Sequence, residues 1–211
     1  MSSRFFVTGT DTGVGKTTAC ALLCAALDAM YWKPIQTGTC DGTDRAVVLR
    51  AAGLSKSRAF PEAYRFTPPV SPHLAAQRAK VRIELRKIQL PQIAPMANLI
   101  VEGAGGVLVP INRTQLMVDL MVHLKLPVLL VSRTLLGTIN HTLLSIAALR
   151  RAKLDVRGVV LSGRPNQDNR RAIEHYGDIQ IIGTIPQLAK INRATLLQAF
   201  RNHFDHKAVM G

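Results

Sequence analysis

Short apolar runs alternate with segments of helical spacing along most of the chain. Residues 4–8 read as a strand, followed by a Gly-rich turn and a helix over 16–29. A second strand over 30–35 runs into the turn-like Thr37-Gly38-Thr39, and residues 44–52 read as a short helix stopped by Gly53. Residues 55–72 have no regular pattern and carry Pro61, Pro68, Pro69 and Pro72. A basic stretch with helical spacing follows, interrupted near Pro91 and Pro95. Residues 98–102 form an apolar strand that ends in the glycine-rich turn Gly103-Ala104-Gly105-Gly106. Beyond it come a helix over 115–124, an apolar run over 127–132 and a strongly amphipathic helix over 138–153. Two further strands are expected at 156–162 and 179–184, and a helix at 193–206.

Strands this continuously apolar, alternating with helices, predict a mostly parallel sheet covered by helices on both faces, an α/β fold. No long linker or internal repeat divides the 211 residues, so a single domain over 1–211 is expected. Hydrophobic residues make up 47% of the chain, which excludes a disordered class. No run of about 18 apolar residues occurs, so no membrane span is expected. The chain enters its first strand almost at once, leaving no room for an export signal. Cys20 and Cys24 lie one helical turn apart beside an apolar stripe and read as core residues; a reducing, cytoplasmic setting follows. The net charge of +14 favours anionic partners. The densest basic cluster, Arg78, Lys80, Arg82, Arg86 and Lys87, contains no aromatic residue and reads as a solvated face, so no nucleic-acid partner is expected.

In open parallel sheets ligands sit at the carboxyl ends of the strands, and the informative motifs fall there. Gly9-Thr10-Asp11-Thr12-Gly13-Val14-Gly15-Lys16-Thr17 joins the first strand to the first helix. Such glycines let several backbone N–H groups turn toward one phosphate, and the helix start adds a partial positive charge. Lys16 would reach the β- and γ-phosphates, and the Thr17 hydroxyl a magnesium ion. The spacing departs from the usual phosphate-loop pattern, because Thr10 stands where its first glycine is expected. Partition-type ATPases with a related loop carry lysine at the place of Asp11, which argues against a nucleotide-switched DNA-binding ATPase, the alternative that the positive charge raises.

Glu102, at the end of a buried strand, is well placed for magnesium, which prefers oxygen ligands. Asp44 is a second candidate, with a helix N-cap as its competing role; Asp41 is close enough to be confused with it. Lys33 precedes Pro34 at the end of the second strand, which would aim it into the crevice.

Taken in order, Gly-Thr-Asp-Thr-Gly-Val-Gly-Lys-Thr at 9–17, Lys-Pro-Ile-Gln-Thr-Gly at 33–38, Ser-Pro-His at 71–73, Val-Glu-Gly-Ala-Gly-Gly at 101–106, Gly-Thr-Ile-Asn-His-Thr at 137–142 and Gly-Thr-Ile-Pro at 183–186 resemble the dethiobiotin synthetases over nearly the whole chain. The resemblance implies a P-loop enzyme that uses ATP and Mg²⁺ to close the ureido ring of dethiobiotin from 7,8-diaminopelargonic acid and CO₂, through a carbamate and its phosphoric anhydride. It implies Mg²⁺ on Thr17, Asp44 and Glu102, with Lys16 and Lys33 as catalytic cations. Nucleotide contacts would come from Asp11, Thr12, Gly13, Val14, Gly15, Lys16, Thr17 and Thr18, with Ser162, Gly183, Ile185 and Pro186 around the base. Substrate would meet Thr12, Lys33, Thr37, Gly137, Thr138 and Asn140, the last three across a homodimer interface. Ser162 stands where the family often has asparagine, whose two-sided amide a hydroxyl cannot copy.

Overall fold

The computed structural model describes residues 2–40 and 42–210. Its main sheet has six parallel strands: β1 (Arg4–Gly9), β2 (Met30–Trp32), β5 (Leu99–Gly106), β6 (Val128–Arg133), β7 (Val156–Ser162) and β8 (Ile181–Ile185), in the order β2-β5-β1-β6-β7-β8. The short β3 (Ile35–Gln36) and β4 (Tyr64–Arg65) pair separately, also in parallel.

The strand pattern of period two divides the core. Phe6, Val128 and Leu130 join one apolar cluster, under α4 (Met117–Leu124), α5 (Thr138–Arg151) and α6 (Gln167–Gly177). Phe5, Val7, Leu129 and Val131 join the other, under α1 (Lys16–Leu27), α2 (Asp44–Ala52) and α7 (Arg193–His203). Both faces of the central strands therefore meet apolar neighbours, which is why these strands read as nearly unbroken apolar runs. Cys20 and Cys24 are buried free thiols in α1. That helix ends at Leu27, two residues before the expected stop, because Asp28 turns left-handed and the Ala29 N–H closes on the Cys24 carbonyl at 3.1 Å.

Other expectations are revised. The basic stretch is α-helical only in α3 (Pro72–Arg78); Lys80 is left-handed, and buried Ile83, Leu85 and Ile88 then pin to the core a path whose one further helical piece is the 3-10 turn Leu85–Lys87. The glycines after Glu102 do not form a turn but prolong β5, with Gly106 paired to Gly9. A side chain at Gly106 would crowd the Gly9 and Thr10 carbonyls, at 3.4 and 3.3 Å, so glycine eases this close approach of two backbones. A last short helix, α8 (His206–Met210), follows α7. Among the described residues no helix is long and apolar enough to cross a membrane.

From β1 the chain runs to β2 and β5 on one side and then to β6, β7 and β8 on the other. The order reverses beside β1, and the carboxyl ends of β5, β1 and β6 open there into a crevice.

Candidate active site

The loop from Gly9 to Gly15 curls at the end of β1. Gly15 is left-handed at φ 98° and caps α1, and a side chain there would fall 2.5 Å from Ser162 Oγ, so backbone geometry and space both demand glycine. Ala19 is the first helical residue whose N–H finds a backbone acceptor, Gly15 O at 2.9 Å. Among the described residues the amides of 13–18 have no backbone acceptor, which leaves them available to a phosphate. Lys16 folds back over the loop and donates to the Asp11 carbonyl at 2.7 Å. Burial, then the neighbouring Lys33 cation, lower its pKa from 10.5 to about 8. The Asp11 carboxylate accepts from the Thr12 N–H at 2.6 Å and from Arg133 at 3.0 Å, tying the loop to the end of β6.

A second group of charges forms across β2 and β5. Their register pairs Tyr31 with Ile100 and Trp32 with Val101, so Lys33 arrives beside Glu102. The Lys33 ammonium lies 2.9 Å from Glu102 Oε1 and 2.7 Å from Asp44 Oδ2. Thr17 Oγ1 is 2.9 Å from Glu102 Oε1 and 3.2 Å from Asp44 Oδ1. Asp44 is not the cap of α2; Thr43 is, accepting from the Ala46 N–H at 3.2 Å, which leaves the Asp44 carboxylate to the crevice. Asp41 lies outside the described residues. Lys33 is 5% exposed and Glu102 1%. Burial works against the Lys33 charge, but Glu102 and Asp44 more than reverse it and hold its pKa above the ordinary lysine value. Asp44 is likewise opposed by burial, yet the ammonium of Lys33 keeps its pKa below the usual carboxylate range. Lys33 is therefore a fixed cation, unsuited to accepting protons.

The oxygen set suits magnesium. A hydroxyl and two carboxylates converge, all hard donors, and the 2.9 Å between Thr17 Oγ1 and Glu102 Oε1 equals the edge of an octahedron with metal–oxygen bonds near 2.0–2.1 Å, about 2.9 Å. Among the described residues no group of three or more His, Cys, Asp or Glu side chains could hold a metal. A magnesium ion held here would take its remaining ligands from phosphate oxygens and water, its habit in phosphoryl-transfer sites.

Thr12, Lys16, Thr17, Lys33, Thr37, Asp44 and Glu102 line one cleft of about 730 Å³, with Ser71 on its rim. Other expected residues lie elsewhere. Ser162 and Ile185 pair at the ends of β7 and β8, with Ser162 against Gly15, and Pro186 follows directly after β8. Gly183 is set apart: a side chain there would meet the Phe204 ring at 2.4 Å, so packing accounts for it. Gly137 and Asn140 are exposed at the start of α5, outside the main cleft. The Thr138 hydroxyl turns inward to Ser132 Oγ at 2.8 Å and to the Arg133 carbonyl, which secures the helix start rather than presenting the side chain.

Three site residues were given no role by the motif reading. Arg133 ties down Asp11. Gln36, 4% exposed, accepts the Asp44 N–H at 3.1 Å and so fixes the start of α2. Tyr31 donates from its buried hydroxyl to Glu102 Oε2 at 2.8 Å. Burial first, and then Glu102, raise its pKa well above the ordinary phenol value, so it remains a donor. The available signal was positional, since Tyr31 precedes Lys33 by two and must share its face of the strand.

Both the sequence and the fold have known relatives. A family model described as an AAA domain matches residues 3–195. The chain is 48% identical over 204 residues to the ATP-dependent dethiobiotin synthetase of Nitrobacter hamburgensis, covering 97% of this chain and 95% of that protein. It is 46% identical over 205 residues to the enzyme of the same name from Rhodopseudomonas palustris, with coverage of 97% and 95%. A solved ParA family ATPase from Chlorobium tepidum overlays with a TM-score of 0.54 at 14% identity, over 94% of this chain and 90% of that one, which speaks to the fold alone.

Proposed function

The chain belongs to the ATP-dependent dethiobiotin synthetases, ligases of biotin biosynthesis, and we propose that its whole length acts as one P-loop domain closing the ureido ring of dethiobiotin in the cleft between Lys16 and Glu102. One observation carries the reading: the phosphate cradle, two carboxylates and a fixed lysine meet in a single crevice.

The chemistry needs no protein nucleophile. One amine of 7,8-diaminopelargonate takes up CO₂ to give a carbamate, whose oxygen attacks the γ-phosphorus of ATP and expels ADP. The second amine then attacks the carbonyl carbon of the mixed anhydride; phosphate leaves, the ring closes and the amines release their protons. Catalysis of this kind depends on positioning and charge. The amides of residues 13–18 hold the phosphates and Lys16 spans the transferring group. Lys33 neutralises the carbamate and the oxygens of the phosphoryl group it attacks, and Thr12 and Thr37 orient the reactants. Mg²⁺ on Thr17, Asp44 and Glu102 would supply further charge neutralisation at the phosphoryl oxygens.

The start of α5 lies outside this cleft, so Gly137 and Asn140 would act from a second copy of the chain, with backbone N–H groups at the helix start holding the substrate carboxylate, while Thr138, whose N–H donates to the Leu135 carbonyl at 3.1 Å, would hold that start in shape. Exposed Leu108, Leu136 and Leu144, at 57%, 105% and 63%, give that face an apolar surface for self-association. The proposed setting is the cytoplasm, where diaminopelargonate, CO₂ and ATP are the partners.

Incubating the protein with diaminopelargonate, bicarbonate, ATP and Mg²⁺ should yield dethiobiotin and ADP in equal amounts by mass spectrometry. Folded protein that forms neither from authentic substrate would reject the assignment.

A further inference from the structure

The two oxygens of Glu102 have different surroundings. Oε1 faces the cleft, 2.9 Å from both Thr17 Oγ1 and Lys33 Nζ. Oε2 faces the interior and accepts the Tyr31 hydroxyl at 2.8 Å. The backbone arranges this. Tyr31 pairs with Ile100, two residues before Glu102, and side chains two apart on a strand share a face. The Tyr31 ring therefore lies beneath Glu102 on the α1 side of the sheet, in the same cluster as Ile100, and is 0% exposed.

Phenylalanine would fill that volume without placing a hydroxyl in the core. A buried hydroxyl with no partner costs about 1–3 kcal/mol. The single interaction that relieves this cost here is the one that also immobilises Glu102.

We propose that Tyr31 is a positioning residue that sets the metal selectivity of the site. By occupying Oε2 from the buried side, it leaves Glu102 able to offer a metal one oxygen, Oε1. Magnesium takes single carboxylate oxygens in a near-ideal octahedron, whereas calcium takes six to eight oxygens and readily accepts both from one carboxylate. Capping Oε2 thus favours the smaller ion; uncapping it frees the carboxylate to turn and present both oxygens. The inference rests on the assignment of Glu102 as a magnesium ligand. If the hydroxyl served packing alone, its loss would lower stability and leave metal preference untouched.

The test is calorimetric and involves no turnover. A non-hydrolysable ATP analogue is titrated into wild type, Tyr31→Phe and Glu102→Gln in EDTA, in Mg²⁺ and in Ca²⁺, and the affinity gained from each metal is compared. Tyr31→Phe should lose roughly tenfold of the Mg²⁺ gain, the lower end of the effect expected when the partner of a metal ligand is removed. Its Ca²⁺ gain should hold or rise, so the preference for Mg²⁺ falls by about the same factor. Equal losses for both metals, or no change for either, overturn the proposal. If Glu102→Gln also leaves the Mg²⁺ gain intact, the ligand assignment itself fails; if only Glu102→Gln reduces it, that assignment stands and the role of Tyr31 falls. Should Tyr31→Phe not fold, Tyr31→Met leaves the same oxygen uncapped with a flexible apolar side chain, and the same outcomes apply.

Discussion

Replacing Lys16 with methionine separates what the residue gives the nucleotide from what it costs the fold. Lys16 is 7% exposed, and burial, with Lys33 nearby, takes its pKa from 10.5 to about 8. At about 1.4 kcal/mol per factor of ten in proton affinity, that drop is equivalent to roughly 3 kcal/mol against the charged form. Residual solvent contact and the loss of the hydrogen bond to the Asp11 carbonyl reduce the net gain from Lys16→Met to about 1–2 kcal/mol. Its pH dependence is distinctive. Below about pH 8 folded and unfolded chains both hold the proton, and the full cost applies. Between about 8 and 10.5 the unfolded chain binds a proton that the folded one has released, so wild-type stability rises with pH. Above 10.5 neither form is charged and the cost is gone. Without nucleotide, Lys16→Met should therefore be the more stable protein at pH 7, and its margin should shrink to nothing by pH 10.5, as read by urea unfolding across that range. The same variant should bind ATP about 100-fold more weakly, since a charge-assisted contact to phosphate is lost. A variant no more stable than wild type at pH 7, or a margin that stays constant with pH, refutes the reasoning.

Lys33→Met leaves two carboxylates in the cleft without their cation; urea unfolding at pH 7 should show a loss of about 3 kcal/mol, and single-turnover kinetics a fall in kcat of about 100-fold. An unchanged kcat would remove Lys33 from the mechanism. Leu136→Glu places a charge on the most exposed apolar residue of the face assigned to self-association; sedimentation velocity should show monomers, with the affinity for diaminopelargonate reduced. A dimer of undiminished affinity would move the interface elsewhere.

The phosphate loop was legible because its chemistry is local: glycines, Lys16 and Thr17 are consecutive, and the strand and helix around them have clear periods. Lys33 and Glu102 were legible one at a time, as polar residues at the ends of apolar strands. Their meeting depends on the parallel register that sets Tyr31 beside Ile100, a long-range fact that no short window contains. Asp44 illustrates the limit of local reading. A carboxylate at a helix start fits an N-cap, and only the neighbouring Thr43 hydroxyl, by taking that task, frees it for the crevice. Helix α6 went unread for a different reason. It buries only Ile173 and Gly177, so its apolar stripe is too thin to register; the Asn166 side chain caps it, accepting the Asn169 N–H at 2.9 Å.

The buried polar residues explain why one lysine can be free for nucleotide while the other is fixed. Lys16 is held by a neutral carbonyl, an interaction a phosphate can replace at little cost, and burial, with Lys33 nearby, lowers its pKa. Lys33 faces two carboxylates and has the opposite shift. Exchanging those partners for a substrate anion is favourable only if another cation takes over Asp44 and Glu102 as Lys33 turns away. On the proposed function, a metal taken up by Asp44 and Glu102 would free Lys33 to meet the carbamate. Tyr31 works against wasteful exchange, because a Glu102 fixed from below cannot follow the ammonium out.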